Sequence, residues 1–213
     1  MPKTDLTTTL YSSLNKAYDL FNEELFGGQL PDCLITFQRH SGAYGYYWHE
    51  KFLGRRGKTA GSKKSPEIAL NPDAFPNRKD QHVMSTLVHE MVHLWQACFG
   101  TPGRGPYHNR EWGKKMIEVG LMPSSTGRLG GAKTGDRMTH YVIRDAAFSE
   151  AWGKLYRSGF RIQWQSFRTR RAKDRSKQKF SCPTCEINVW GASSLVGCLL
   201  CIHCREVLIA AST

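Results

Sequence analysis

The sequence predicts an α+β fold with a small antiparallel sheet, followed by a compact cysteine-rich module. Apolar residues recur at helical steps near the N-terminus, short β-rich segments follow between residues 33 and 70, and five of the seven cysteines crowd into positions 182 to 204. These three observations divide the chain into a main domain over 1–165, a basic linker over 166–179 and the cysteine module over 180–213.

From Leu6 to Phe26, the residues Leu10, Leu14, Tyr18, Phe21 and Leu25 mark one buried helical stripe, which Gly27 and Gly28 end. Segments 33–37, 44–48 and 67–70 are rich in β-formers and separated by glycine, proline and basic residues, which predicts a small, mostly antiparallel sheet. Between the second and third, residues 50–65 set Lys51, Arg55, Arg56, Lys58, Lys63 and Lys64 against Glu50 alone, and read as a basic loop. A second helix is expected from about Asp80, as its N-cap, through Cys98, with Gly100 and Pro102 ending it. The loop GTPGRGPY then leads to His108 and a third helix over 109–119, closed by Gly120. Residues 123–136 are Ser- and Gly-rich and read as loop; 145–158 reads as a further helical or mixed stretch. The run RTRRAKDRSKQK has few apolar residues to bury and reads as an exposed linker.

Composition narrows the class of protein. With 213 residues, 40% hydrophobic and 11% aromatic, the chain can bury a sizeable core. It has no run of about 18 apolar residues to span a bilayer. The opening MPKTDLTTTLYSSLNKAYDL lacks the charged head, apolar stretch and small-residue site of a secretory signal. The expectation is a soluble cytoplasmic protein, nucleoid-associated in a bacterium, with no membrane partner. In a reducing compartment cysteines serve as metal ligands or buried thiols, and Cys33 and Cys98, among apolar neighbours, read as small buried side chains. The net charge of +12 is uneven: residues 150–179 hold ten Lys or Arg against Glu150 and Asp174, which is +8 of the total. A field of that strength favours anionic partners, nucleic acid foremost.

Within the second helix, residues 89–93 read HEMVH. At helical geometry His93 lies about 40° round and about 6 Å along from His89, so two imidazoles can converge on one ion while Glu90 flanks it as a base. Zinc on three protein ligands keeps a fourth position open and acidifies water there to a pKa of about 7. Met84, Leu87, Val88, Met91 and Trp95 give this helix the apolar face of a buried element. The third ligand must come from downstream, because Gln96 and Phe99 occupy the Gly and His positions of the metzincin pattern. His108 is the preferred candidate and Glu111 the alternative. His140 and Tyr141 read as structural, with an extra transition-state donor as the other possibility; His40, His49 and His82 have no ligand partner at helical spacing.

HEMVHLW followed by YHNREWGKKM resembles the SprT-like family of zinc metallopeptidases, including Spartan-type proteases, where HExxH precedes a His ahead of a Gly-x-Glu-Phe-like segment. Asn109 and Trp112 stand here at the Gly and Phe positions. LFGGQLP, GAYGYYW and TGDRMTHYVI are similar to that family too, so the resemblance spans nearly the whole chain. It implies a zincin-like metallopeptidase domain over 1–165, and an endopeptidase that cleaves DNA-associated or DNA-cross-linked proteins.

Cys182-Pro-Thr-Cys185 and Cys201-Ile-His-Cys204, with 15 residues between them, have the spacing of a four-cysteine structural zinc site. Four thiolates complete a tetrahedral ion and leave no position for water, so this zinc is expected to be structural and to drive folding of a zinc ribbon. Cys198 forms another CxxC with Cys201, and His203 lies inside the second knuckle, so either is an alternative ligand. Glu186 and Arg205 follow the knuckles where a left-handed turn would suit glycine better.

The expected cofactors are therefore one catalytic and one structural Zn²⁺. The expected partners are DNA, single strands included, and DNA-bound protein substrates. Arg55, Arg56, Lys58, Lys63, Lys64, Arg168, Arg170, Arg171, Lys173 and Arg175 are the candidate phosphate contacts, with Trp164, Phe167, Phe180 and Trp190 available either for base stacking or for a core. The alternative function is a catalytically silent DNA-binding or regulatory zinc-ribbon protein on a peptidase-like fold.

Overall fold

In the computed structural model, which describes residues 5–55, 64–167 and 177–210, the first helix begins where a side chain can satisfy its free amides. Asp5 accepts from the N–H groups of Thr7 and Thr8 at 3.0 and 3.2 Å, and α1 runs Leu6–Phe26 until Gly27 turns left-handed at φ 61°. Leu14, Tyr18, Phe21 and Leu25 lie on its buried face, as their spacing predicts, and Phe21 stacks on Phe148 at 5.7 Å.

Three strands follow, β1 Leu34–Phe37, β2 Gly45–Leu53 and β3 Lys64–Leu70, in the order β1-β3-β2. β2 pairs antiparallel with β3, but β1 pairs parallel with it, so the sheet is mixed rather than mostly antiparallel. Alternation along a segment marks a strand; it carries no information about which neighbour the strand will meet. Central β3 is buried through Ile68, Ala69 and Leu70, as a strand covered on both faces must be. Glu67 is tolerated in this interior because Thr36 and Tyr46 donate hydroxyls to its two oxygens at 2.6 and 3.1 Å. The basic stretch 50–65 is strand at both ends. β2 continues through a register shift between Trp48 and Phe52, where Glu50 takes φ 49°, a bulge that lets the strand extend past its expected end.

Helix α2, Asp80–Phe99, packs against α1, β2 and β3, and buries Val83, Met84, Leu87, Val88, Met91 and Leu94. A helix apolar on so much of its circumference belongs at the centre of its domain. Asp80 is not its N-cap: Lys79 holds that position, and the Asp80 carboxylate accepts from the Ile162 N–H at 3.0 Å. A group suited to a local cap is used instead to anchor a segment 82 residues away. Cys98 is exposed, contrary to its apolar neighbourhood in sequence, because it falls on the last turn of α2. Cys33 is partly buried, and burial pushes its thiol up to about 12.

α3, Arg110–Glu118, is capped by Asn109, whose Oδ1 accepts from the Trp112 N–H at 3.0 Å. β4, Leu121–Ser124, then pairs antiparallel with β5, Thr139–Val142, so the Ser- and Gly-rich stretch read as loop begins inside a strand. α4 spans Ala147–Arg157. The chain divides into two units, Met1–Phe167 and Arg168–Thr213. In the second, β6 Gln178–Ser181 lies between β7 Asn188–Gly191 and β8 Ile209–Ala210, over a core of Phe180, Cys182, Cys201 and Leu208. No helix among the described residues is long and apolar enough to cross a membrane.

Candidate active site and metal centres

Because α2 carries His89 and His93 one turn apart, their rings share a face, and the loop after α2 brings His108 to it. Each of these three residues offers a ring nitrogen, and the three nitrogens lie within 4.8 Å of one another. His93 Nε2 and His108 Nε2 are 3.1 Å apart. Nitrogens bound tetrahedrally to zinc at about 2.0–2.1 Å would stand roughly 3.3 Å from each other, so the donor set fits such an ion. His108 is held by its strand-like pairing with Gly135: its backbone N–H donates to Gly135 O at 2.9 Å, and Nδ1 stands 3.0 Å from the same oxygen. With Nδ1–H donating there, the Nε2 lone pair is free for a metal. Trp112, fully buried, packs on all three rings with centroids 4.4–5.4 Å away.

Burial sets the charge state. It pushes His89 well below its ordinary value, brings His93 to about 3, and lowers His108, so all three rings are neutral at physiological pH. Neutral imidazole is the form that binds a metal. Burial also raises the Glu90 carboxyl to about 8; a dication beside it would favour the carboxylate again. Gly45 opens β2 against this group, and a Cβ there would come within 3.2 Å of Glu90 Oε1 and 2.8 Å of Ala69 O. Only glycine lets the sheet approach the acid so closely.

Glu111, the alternative third ligand, stands outside the histidine group. Its Oε2 accepts from Gln96 Nε2 and from the Thr101 N–H, both at 2.7 Å. Gln96 also donates to Asn109 Oδ1 at 2.8 Å, and Asn109 Nδ2 donates to Thr101 O at 2.8 Å. These bonds clamp the α2–α3 loop and thereby the residue before Asn109, which is His108. Sequence reasoning missed the clamp, since Gln96 and Asn109 were read only as departures from glycine positions in known patterns, which says nothing of their hydrogen bonds. It also read His140 only as structural, with a transition-state donor as the alternative; β5 brings that ring to His89, with Nδ1 3.1 Å from His89 Nδ1 and Nε2 2.8 Å from Ser85 Oγ. His49, exposed, meets Tyr47 OH at 2.9 Å, and the Tyr47 ring stacks on His93 at 6.5 Å.

In the second unit, one sulfur from each of Cys182, Cys185, Cys201 and Cys204 lies within 4.8 Å of the others. Cys185 and Cys201 are 3.6 Å apart, against about 3.8 Å for two thiolates at tetrahedral Zn–S distances of about 2.3 Å. Backbone N–H groups of Cys185 and Thr184 lower the Cys182 thiol to about 7, toward the thiolate a metal needs. Cys198 and His203 lie outside the group. Glu186 and Arg205 do take the left-handed conformation, at φ 59° and 56°, each donating its N–H back to the first cysteine of its knuckle.

Of the candidate phosphate contacts, Arg55 and Lys64 are exposed, and Lys64 Nζ is 2.6 Å from Glu50. Arg56, Lys58, Lys63, Arg168, Arg170, Arg171, Lys173 and Arg175 lie outside the described residues. Phe180 is core in its unit, whereas Trp164, Phe167 and Trp190 are exposed.

Fold and site together define an α+β protein with a buried helix that presents two histidines and a glutamate to a third histidine, beside a separate four-cysteine cluster. Residues 14–129 match the SprT-like family, more than half of the chain, and the chain belongs to that family. The match takes in α2, His108 and α3, and ends before His140. The family points to a peptidase-like fold. The chain is also 51% identical over 49 residues to an uncharacterized protein in the mucB 3′ region of Salmonella typhimurium. That alignment covers 23% of this chain and 66% of the Salmonella protein, just under two thirds of its length.

Proposed function

We propose that this protein is a zinc-dependent endopeptidase that cleaves proteins bound or cross-linked to DNA. The observation that carries the chemistry is a buried carboxylate, Glu90, one residue from the first of three imidazoles whose nitrogens converge. Zinc held by His89, His93 and His108 would polarise a peptide carbonyl and acidify water. Glu90 takes the proton from the attacking water and delivers it to the leaving amine, the two transfers a peptide hydrolysis requires. Burial favours the protonated form of Glu90 and a bound dication the carboxylate, so the group can hold a proton between the two transfers. Cys182, Cys185, Cys201 and Cys204 would hold a second zinc with no open position, and its role would be to fold their unit as a zinc ribbon.

DNA as the partner is supported by the +8 charge over residues 150–179 and by the exposed rings of Trp164, Phe167 and Trp190. Family resemblance supplies the substrate class. The test is cleavage of a DNA-bound protein, with and without single-stranded DNA, by wild type and Glu90→Gln. The variant keeps its metal and loses roughly 10²- to 10⁴-fold in rate; an unchanged rate contradicts Glu90 as the base.

A further inference from the structure

The hydrogen bonds around His89 form one chain whose protons can be placed so that the ring is left with a bare Nε2. Ser85 has one hydroxyl proton and two close partners, His82 O at 3.0 Å and His140 Nε2 at 2.8 Å. A carbonyl oxygen can only accept; with the Ser85 hydroxyl donating to His82 O, the Ser85 oxygen accepts from His140 Nε2–H. A neutral imidazole protonated at Nε2 has its lone pair at Nδ1. That lone pair lies 3.1 Å from His89 Nδ1, which must then be the donor. The His89 proton is thereby placed on Nδ1, and Nε2 is left bare. The opposite assignment would put the His89 proton on Nε2 and leave that nitrogen without the lone pair a metal needs.

We propose that His140 is a positioning residue that fixes the tautomer of His89, as the middle member of a relay running from Ser85 through His140 to Nδ1 of His89, the nitrogen opposite the one left for the metal. The relay links two turns of α2 to β5, elements 51 to 55 residues apart in sequence, so the β4–β5 pair acts as a brace for the first ligand. His108 has its own brace in Gly135 O. Hydrogen-bonded partners behind a ligating histidine set its orientation and basicity, and their loss typically weakens metal binding about 10- to 100-fold.

The inference rests on the reading of His89, His93 and His108 as a metal centre, and its test keeps the two apart. In full-length protein stripped only of its more weakly held zinc, long-range ¹H–¹⁵N correlation of labelled histidines reads each tautomer directly. His89 is expected as Nδ1–H and His140 as Nε2–H; His89 protonated at Nε2 overturns the relay. Chelator competition then gives the zinc affinity of the same site. His140→Phe should lose roughly 10- to 100-fold, while His140→Asn, whose Oδ1 can accept where Nδ1 did, recovers most of it. The cysteine-bound zinc should not change in either variant and serves as the internal reference. Wild-type affinity in His140→Phe overturns the proposal; if that variant does not fold, the Asn variant and the wild-type tautomers decide. A wild-type protein whose only zinc survives His89→Ala would sink the metal centre itself, a result the metal-free tautomers distinguish from failure of the relay.

Discussion

The carboxylate of Glu111 receives the Gln96 side-chain amide and the Thr101 N–H, and these donors hold it below the ordinary value of 4.5. A carboxyl whose pKa is lower folded than unfolded adds stability that is fully present above the unfolded value and lost as pH falls through the folded one. Urea unfolding of wild type and Glu111→Gln should therefore differ most near neutrality and converge in acid; parallel curves down to pH 3 would show that the clamp contributes nothing through charge. The chemistry of Glu111 could not be read from its spacing, since a carboxylate three residues past His108 is equally compatible with a metal or with a loop amide. HExxH was legible because helix geometry alone brings His89 and His93 together. His140 was not, because its partners sit 51 and 55 residues upstream and only the pairing of β5 with β4 delivers it.

Among the elements, α1, α2 and α3 were legible from apolar steps and from the Gly and Pro residues that end them. The two-stranded β4–β5 pair and the parallel neighbour of β3 were not, because each depends on contacts that no local pattern encodes. The knuckles of the ribbon show local preference and fold in conflict. Glu186 and Arg205 occupy left-handed turns at φ 59° and 56°, a conformation that costs an L-residue about 1–2 kcal/mol. Replacing either by glycine removes that strain and adds back roughly 0.5–1 kcal/mol of chain entropy. A net stabilisation of roughly 0.5–1 kcal/mol per site is expected, read as a higher chelator midpoint for unfolding of the ribbon. A lower midpoint would mean that the charged side chains themselves hold the turn.

At the scale of the whole molecule, the two units should answer differently to metal removal. The core of the second unit is Phe180, Leu208 and two of the four candidate ligands, Cys182 and Cys201, far too little apolar surface to fold unaided. Strong chelation should erase the amide dispersion of residues 178–210 while the Met1–Phe167 unit keeps its own; a ribbon that stays folded without metal would contradict the assignment. Salt dependence tests the other large-scale feature. Neutralising Arg168, Arg170, Arg171, Lys173 and Arg175 should reduce the log–log salt slope of single-strand binding by roughly 0.7 for each phosphate that no longer meets a cation. An unaltered slope would take this segment out of the interface.

The strand order β1-β3-β2 also fixes a sequence of events during synthesis. Both outer strands leave the ribosome before the strand that joins them, so the nascent chain carries two unsatisfied edges until residue 70 has emerged. Only once β3 lies between them is there a finished platform for α2, so the histidine-bearing face of α2 can settle only after the sheet is complete.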